Sequence, residues 1–246
     1  MPASERSLHY YDLNTHPYPE GSSSVARMAR EAQWLGLAGI CASPHHDFLA
    51  GKERLPGNFS LVRGVEIAAA NPNDLRRLVE RYRNKVTVLA VHGGEESINR
   101  AACEDGRVDV LTHPQEGGKT SGINHIIARL AADKCVAIDF SLFPIIHARG
   151  GTRVRTLSSY RANFALVRKY GAPYVITSGA LSHYDLRDAR CMIALARLFG
   201  LNEAEAVKGL SYYPEQILHR ASPSYVADGI EIVEKPGDEH RQGVNL

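Results

Sequence analysis

The stretch APYVITSGALSHYDLRDAR, residues 172–190, contains the pattern that decides the fold. An apolar run at 172–176 is followed by a polar loop and then by apolar residues spaced three and four apart. This order predicts a strand, a loop and the start of a helix. Asp185 and Asp188 are expected in the first helical turn, where the positive end of the helix dipole favours carboxylates. We therefore expect one strand–loop–helix unit of a parallel α/β fold.

The polar residues of this loop form a candidate site, because ligands of parallel α/β folds bind at the carboxyl ends of the strands. They are Thr177, Ser178, Ser182, His183 and Asp185. Serine and aspartate near a helix start are also expected as helix caps, so a capped loop without a binding role is the alternative.

The rest of the chain repeats this alternation of β-like and helical runs. The predicted strands are 8–13, 37–42, 61–68, 86–91, 108–112, 135–141 and 173–178, with helical patterns such as 24–35, 74–83 and 123–132 between them. Strands separated by helices predict a parallel sheet. The strand count and the polar strand ends favour an α/β, TIM-barrel-like fold of seven or eight parallel strands with outer helices. An open, doubly wound sheet is the alternative.

Length and composition fit one barrel domain at 1–220 with a C-terminal extension at 221–246 that includes a partly disordered tail. The 246 residues are 44% hydrophobic, and the formal net charge is only +2. The four cysteines are far apart in the sequence, which predicts small buried side chains in a reducing compartment. Without a signal pattern or an apolar run of membrane-spanning length, we expect a cytoplasmic protein and no membrane partner.

Most of the predicted strands end in residues that can bind metals or transfer protons. They are Asp12, Asn14 and His16; His45, His46 and Asp47; Glu66; His92; His113; Asp139; and Ser178, His183 and Asp185. On chemistry alone, such a set at one end of a barrel indicates a metal-assisted phosphoester hydrolase. Each histidine taken singly is more often a hydrogen-bond partner of a loop carbonyl.

Eight segments in a fixed order resemble those of the ribonuclease P protein component 3 family, the barrel-shaped protein subunit of archaeal and eukaryotic ribonuclease P. They are YDLNTH at 11–16, VLAVHGG at 88–94, NRAA at 99–102, VDVLTHP at 108–114, INHIIARLAA at 123–132, VAIDFSL at 136–142, residues 177–190, and LSYYPEQIL at 210–218. The resemblance implies a subunit of the ribonucleoprotein endoribonuclease that removes the 5′ leader from precursor tRNA.

The same resemblance implies that the RNA catalyses the reaction and that this chain supports it without a catalytic residue of its own. The implied partners are ribonuclease P RNA, ribonuclease P protein component 2, the other ribonuclease P proteins, and precursor tRNA through the complex. No tightly bound cofactor is expected in the chain, and Mg²⁺ is required by the RNA of the holoenzyme.

The family in turn resembles the polymerase and histidinol phosphatase metal-dependent hydrolases, from which this chain departs at three positions. Those enzymes open with two histidines one residue apart, whereas this chain has Asn14 before His16. Their final aspartate and histidine correspond to Gly179 and Leu181. The resemblance therefore implies a vestigial barrel-mouth site, with at most a weak single-ion site. Its residues are Asn14, His16, His46, Glu66, His92, His113, Asp139, Ser178 and His183.

The alternative function is an independent metal-dependent phosphoesterase. It would use His16, Glu66, His92, His113 and His183. The losses at Asn14, Gly179 and Leu181 weigh against it.

Positive charge is concentrated in one region of the chain. Residues 141–200 contain nine cations and two anions, a net charge of +7, while the remainder carries −5. Arginines suit bidentate contacts with phosphates or carboxylates. The candidate RNA- or partner-binding residues are Arg149, Arg153, Arg155, Arg161, Arg168, Arg187 and Arg190. We expect an internal contact with Asp139 or Glu66 for Arg187 and a partner contact for Arg190; a solvated outer face is the alternative.

Overall fold

The computed structural model describes residues 8–45, 59–116, 121–222, 225–227 and 230–231, and a seven-stranded parallel sheet forms its centre. The strands are β1 (Tyr11–Thr15), β2 (Gly39–Ala42), β3 (Ser60–Ile67), β4 (Val88–His92), β5 (Val110–Thr112), β6 (Ala137–Ser141) and β7 (Tyr174–Thr177). Each strand pairs with its neighbours in chain order. All seven predicted strands are therefore confirmed, with shifted ends.

The sheet curves until its last strand meets its first. Just beyond β7, Ala180 bridges Thr15 in parallel, and the backbone N–H of His16 donates to the Ala180 carbonyl at 2.8 Å. The main chain of Ser178 also donates to the Asp12 carboxylate at 3.2 Å. These contacts make a nearly closed barrel, so the predicted TIM-barrel-like class is confirmed and the open doubly wound sheet is excluded.

The outer layer consists of helices that follow the strands. They are α1 (Val25–Trp34), α2 (Pro72–Tyr82), α3 (Glu96–Glu104), α4 (His125–Lys134), α5 (Phe143–His147), α6 (Gly150–Tyr170), α7 (Ala189–Arg197), α8 (Glu203–Leu210) and α9 (Tyr212–Arg220), with a 3-10 turn at Arg83–Lys85. Side-chain caps set several starts: Ser24 accepts from Arg27 N at α1, and Asn202 forms a capping box at α8.

Two of the detailed expectations were wrong. Asp185 does not lie in the first turn of α7, because the helix begins only at Ala189 and Asp188 is its N-cap. Instead, Asp185 accepts hydrogen bonds inside the loop from Leu181 N and Ser182 Oγ. Cys135, which was expected to be buried, is exposed at the left-handed end of α4.

The alternation of side chains along the strands produces two apolar layers. In β4, Val88 and Ala90 face the barrel interior, whereas Leu89 and Val91 pack in the layer under the helices. The outer layer includes an aromatic cluster in which Phe140 packs edge-on against Tyr160 of α6. This packing fixes the strands, and with them the residues at the strand ends.

A short antiparallel pair, β8 (Tyr225–Ala227) and β9 (Ile230–Glu231), lies within the predicted C-terminal extension. Residues 232–246 lie outside the described part, so the division of the chain at residue 220 and the disorder of its tail stay predictions. None of the described helices is both long and apolar enough to span a membrane.

Candidate functional site at the barrel mouth

Four histidines form an arc at the carboxyl ends of the first five strands. His16 follows β1, His45 follows β2, His92 ends β4 and His113 follows β5. Adjacent ring centroids along the arc are 5.6, 5.5 and 4.9 Å apart. His45 is brought there by a parallel bridge with Glu66 of β3. The neighbouring residue that was predicted for the site, His46, lies outside the described residues.

Glu66 is the centre of this cluster and is fully buried. One carboxylate oxygen, Oε1, lies 2.7 Å from His92 Nδ1 and accepts a hydrogen bond of 2.6 Å from Thr112 Oγ1. The other, Oε2, lies 3.4 Å from His16 Nε2. Burial alone would raise the pKa of Glu66, but the hydrogen bond with His92 and the nearby imidazoles outweigh it and lower that pKa. Glu66 is therefore an anion among imidazoles.

Two glutamates that the sequence analysis missed complete the cluster. Glu20 contacts Nδ1 of His45 through Oε1, and the same oxygen lies 3.3 Å from His16 Nδ1. Glu116 Oε2 lies 3.4 Å from His92 Nε2. The only sequence signal was their spacing, since Glu20 follows His16 by four residues and Glu116 follows His113 by three.

The imidazoles differ in their protonation because their surroundings differ. Burial alone would lower the pKa of His92, but its hydrogen bonds with Glu116 and Glu66 outweigh burial and raise that pKa to about 10. The hydrogen bond to Glu20 raises the pKa of His45. Burial lowers the pKa of His113. At neutral pH the arc therefore combines charged and neutral imidazoles with glutamate anions.

The other buried polar groups near the mouth lie on β1 and β6 and in the loop after β7. Burial raises the pKa of Asp12 to about 6 and the pKa of Asp139 well above its ordinary value. Asp139 accepts a 2.9 Å hydrogen bond from Thr177 Oγ1. Ser178 Oγ accepts from Ala180 N at 3.1 Å, which holds the loop after β7. The side-chain amide of Asn14 is buried without a hydrogen bond.

The last strand contributes no ligand to the cluster. Gly179 has φ +62°, which side chains other than glycine rarely adopt, and a Cβ atom there would lie 2.3 Å from the Ser141 hydroxyl and 3.1 Å from Phe143 Cβ, so an aspartate would be strained. Leu181 lies at the rim of the mouth. His183 contacts Ser23 Oγ at 2.9 Å and Arg27 at 3.3 Å instead of joining the arc.

A cavity of about 920 Å³ opens over the cluster. One wall is the histidine arc, and the other includes Thr152, Arg155 and Thr156 of α6. The strand-end cluster and one of the predicted arginines therefore face the same space.

The seven candidate arginines divide into two groups. Four of them donate to carbonyl or carboxylate oxygens of the chain: Arg153 to Ala148 O and Ile146 O, Arg161 to Leu198 O, Arg168 to Glu205 and Gly200 O, and Arg187 to Tyr184 O and Leu186 O. Arg187 thus contacts carbonyl oxygens, and its expected contact with Asp139 or Glu66 was wrong. Arg155 donates only to the hydroxyl of Thr152, one turn earlier in α6, at 3.1 Å. Arg149, Arg155 and Arg190 are exposed and form no ion pair with any described residue.

Comparison with known proteins places the whole barrel in one family. The family model of ribonuclease P subunit p30 matches residues 9–224. Ribonuclease P protein component 3 of Methanococcoides burtonii is 46% identical over 94% of this chain and 95% of that protein. The component 3 protein of Methanosarcina mazei is 42% identical over 92% of this chain and 96% of that protein.

Solved structures agree with this relationship. A chain in the cryo-EM structure of archaeal ribonuclease P with mature tRNA matches with a TM-score of 0.76 and 26% identity, covering 92% of this chain and 100% of that chain. Histidinol phosphate phosphatase from Lactococcus lactis matches with a TM-score of 0.52 and 16% identity over 80% of this chain and 95% of that chain, a likeness of fold alone. The chain therefore belongs to the ribonuclease P subunit p30 family, as the order of its sequence motifs indicated.

Proposed function

We propose that this chain is a protein subunit of ribonuclease P that supports the catalytic RNA in removing the 5′ leader from precursor tRNA. Its direct protein partner in this proposal is ribonuclease P protein component 2, and the Mg²⁺ that the reaction needs is bound by the RNA. The assembly would work in the cytoplasm.

The observation that carries the proposal is the match to the archaeal ribonuclease P complex, which extends over 92% of this chain and 100% of the matched chain. The match therefore extends over the whole barrel rather than over a few strands. The relatives named ribonuclease P protein component 3 also match along almost their full length.

Three exposed arginines, at α6 and α7, are suited to contacts with phosphates or acidic side chains. Arg149, Arg155 and Arg190 are exposed, and their guanidinium groups form no ion pair with the described residues. Guanidinium groups bind phosphates and carboxylates through paired hydrogen bonds. The other four candidate arginines already donate to carbonyl or carboxylate oxygens of the chain, so we assign the partner contacts to these three.

A second function, that of an independent phosphoesterase, has the histidine arc in its favour. Such enzymes hold two or more metal ions in many families. Here the ligands contributed by the last strand are missing, and a side chain at Gly179 would be strained by the positive φ and by contact with Ser141. We therefore favour the subunit role.

Reconstitution tests the proposal. The ribonuclease P RNA and its other proteins would be assembled with and without this chain, and cleavage of precursor tRNA measured at limiting and at high Mg²⁺. We expect omission to slow cleavage at limiting Mg²⁺ and to have less effect at high Mg²⁺, because phosphate neutralisation by protein substitutes in part for ions. An unchanged rate at limiting Mg²⁺ would contradict the subunit role.

A charge-matched pair of variants tests these three arginines. One variant replaces Arg149, Arg155 and Arg190 by alanine. The other replaces Arg76, Arg100 and Arg107, which are also exposed but lie on and beside α2 and α3. Only the first should weaken the stimulation; equal effects would show that the total charge matters, rather than these three positions.

A further inference from the structure

We propose that the barrel mouth binds one divalent transition-metal ion of the Zn²⁺ class through His16 Nδ1, Glu20 Oε1 and His45 Nδ1. In this arrangement Glu66 is not a ligand but orients the ring of His16. The ion would stabilise the mouth of the barrel, and its fourth coordination position would face the cavity.

The three candidate ligand atoms converge on one place, where an ion would replace the direct contact between Glu20 Oε1 and His45 Nδ1. The candidate atoms of His16, Glu20 and His45 all lie within 4.8 Å of one another. Two ligands of a tetrahedral Zn²⁺ with bonds of about 2.0 Å lie roughly 3.3 Å apart. His16 Nδ1 and Glu20 Oε1 are 3.3 Å apart. The pair therefore needs little movement to accept an ion.

A buried nitrogen without a partner supports the same position. The side chain of His16 is only 6% exposed, yet its Nδ1 makes no hydrogen bond. Buried polar atoms almost always have a partner, and one without a partner is costly. This nitrogen faces the Glu20 carboxylate, and an ion between the two would satisfy both.

Glu66 lies where the outer partner of a metal-bound histidine is expected. Its Oε2 also lacks a hydrogen bond and lies 3.4 Å from Nε2 of His16, the nitrogen opposite the proposed ligand atom. Histidines that bind metal through one nitrogen usually donate the other N–H to a carboxylate or carbonyl. A small adjustment of the ring would complete this hydrogen bond.

The donor set selects the class of ion. Two imidazoles and one carboxylate suit Zn²⁺ and related transition metals, whereas Mg²⁺ and Ca²⁺ prefer oxygen ligands. Two imidazoles with one carboxylate also leave the fourth position of Zn²⁺ open. His45 and Glu20 come from loops after different strands, so the ion would tie β1 to β2 at the mouth.

The test uses the full chain after treatment with a chelator. Zn²⁺ binding would be measured by isothermal titration calorimetry, and the thermal melt recorded with and without Zn²⁺. We expect one equivalent of Zn²⁺ to bind and to raise the melting temperature. His16→Ala and Glu20→Gln should each weaken binding more than about tenfold, and Glu66→Gln should weaken it by about 10- to 100-fold without changing the stoichiometry.

Two controls keep the assignment falsifiable. His147 pairs with Asp185 at 3.1 Å, so His147→Ala removes a carboxylate-paired histidine outside the cluster and should leave Zn²⁺ binding unchanged. His92→Ala should change the affinity by less than about tenfold, since it removes no proposed ligand. Melts without Zn²⁺ would establish that each variant folds.

Three results would overturn the proposal. The first is the absence of stoichiometric Zn²⁺ binding to the wild-type chain. The second is wild-type affinity in folded His16→Ala and Glu20→Gln variants. The third is a loss in His92→Ala as large as in His16→Ala, which would move the ion to the neighbouring group of His45, Glu66 and His92.

Discussion

Asp12 is a buried carboxyl group whose charge depends on pH near the physiological range. Its oxygens accept hydrogen bonds from Ser178 N at 3.2 Å, but burial raises its pKa from 3.8 to about 6. The folded chain therefore holds the proton more tightly than the unfolded chain between these values. The stability that this group contributes is fully present below pH 3.8 and is lost as the pH rises through about 6.

We expect Asp12→Asn to remove this pH dependence. Between pH 3.8 and 6, the free energy of unfolding of the variant should rise relative to the wild type by about 3 kcal/mol, since one pKa unit corresponds to about 1.4 kcal/mol. Denaturant unfolding across this window measures the difference. Asp133→Asn, at an exposed position of α4, is the control and should follow the wild type. Parallel curves for Asp12→Asn and wild type would contradict the expectation.

The sequence predicted which residues lie at the barrel mouth only where those residues are in a strand or directly follow one. Glu66, His92 and His113 lie in or directly after predicted strands and meet at the mouth as expected. Glu20 and Glu116 lie in irregular loops, whose direction depends on the packing of the closed barrel rather than on a local pattern. No periodicity could have indicated that they face the histidines.

Arg187 and Arg190 lie close together in the sequence but have different contacts, because one precedes α7 and the other lies within it. The helix begins at Ala189, so Arg187 lies before it and Arg190 in its first turn. Arg187 donates to the Tyr184 and Leu186 carbonyls, both at 2.7 Å, and so holds the loop. Arg190 is exposed. The two arginines therefore do not lie in one helix, because the helix starts later than the sequence pattern suggested.

Alanine at each position should separate these roles. Arg187→Ala is expected to lower the free energy of unfolding by about 1 kcal/mol through its lost hydrogen bonds. Arg190→Ala should change it by less than about 0.5 kcal/mol. In titrations of the assembled proteins with ribonuclease P RNA over a salt series, Arg190→Ala should reduce the salt slope by about one. An unchanged melt with a flattened slope for Arg187→Ala would reverse the assignment.

For the molecule as a whole, the alternation of strands and helices was sufficient to predict a parallel barrel. The periodicity of apolar residues along the sequence indicates which side chains face the core. A parallel sheet with helices outside is the arrangement that buries those side chains. The chemistry of the mouth was less predictable. The sequence shows that Gly179 replaces a ligand, but only the structure, with φ +62° at Gly179 and the Ser141 side chain beside it, shows that a ligand there would be strained.

The isolated chain should therefore show no phosphodiesterase activity. A chromogenic phosphodiester assayed with Mn²⁺ is expected to give no turnover above background, because the last strand supplies no ligand for a second ion. Any trace activity must be compared with His113→Ala. Turnover that disappears in this variant would contradict the noncatalytic role, whereas turnover that persists would indicate a contaminating enzyme.

The contacts between the first and last strands of the barrel also affect how the chain can fold during synthesis. Ala180 bridges Thr15, and Ser178 N binds Asp12 across 166 positions of sequence. The residues that pair with the free edge of β1 therefore leave the ribosome long after β1 does. Until then the growing chain presents an unpaired parallel edge, the kind of surface on which nascent chains associate wrongly. Because the chain is synthesised from its N-terminus, the barrel can close only late in synthesis. A nascent chain that stops before residue 178 would leave the edge of β1 unpaired.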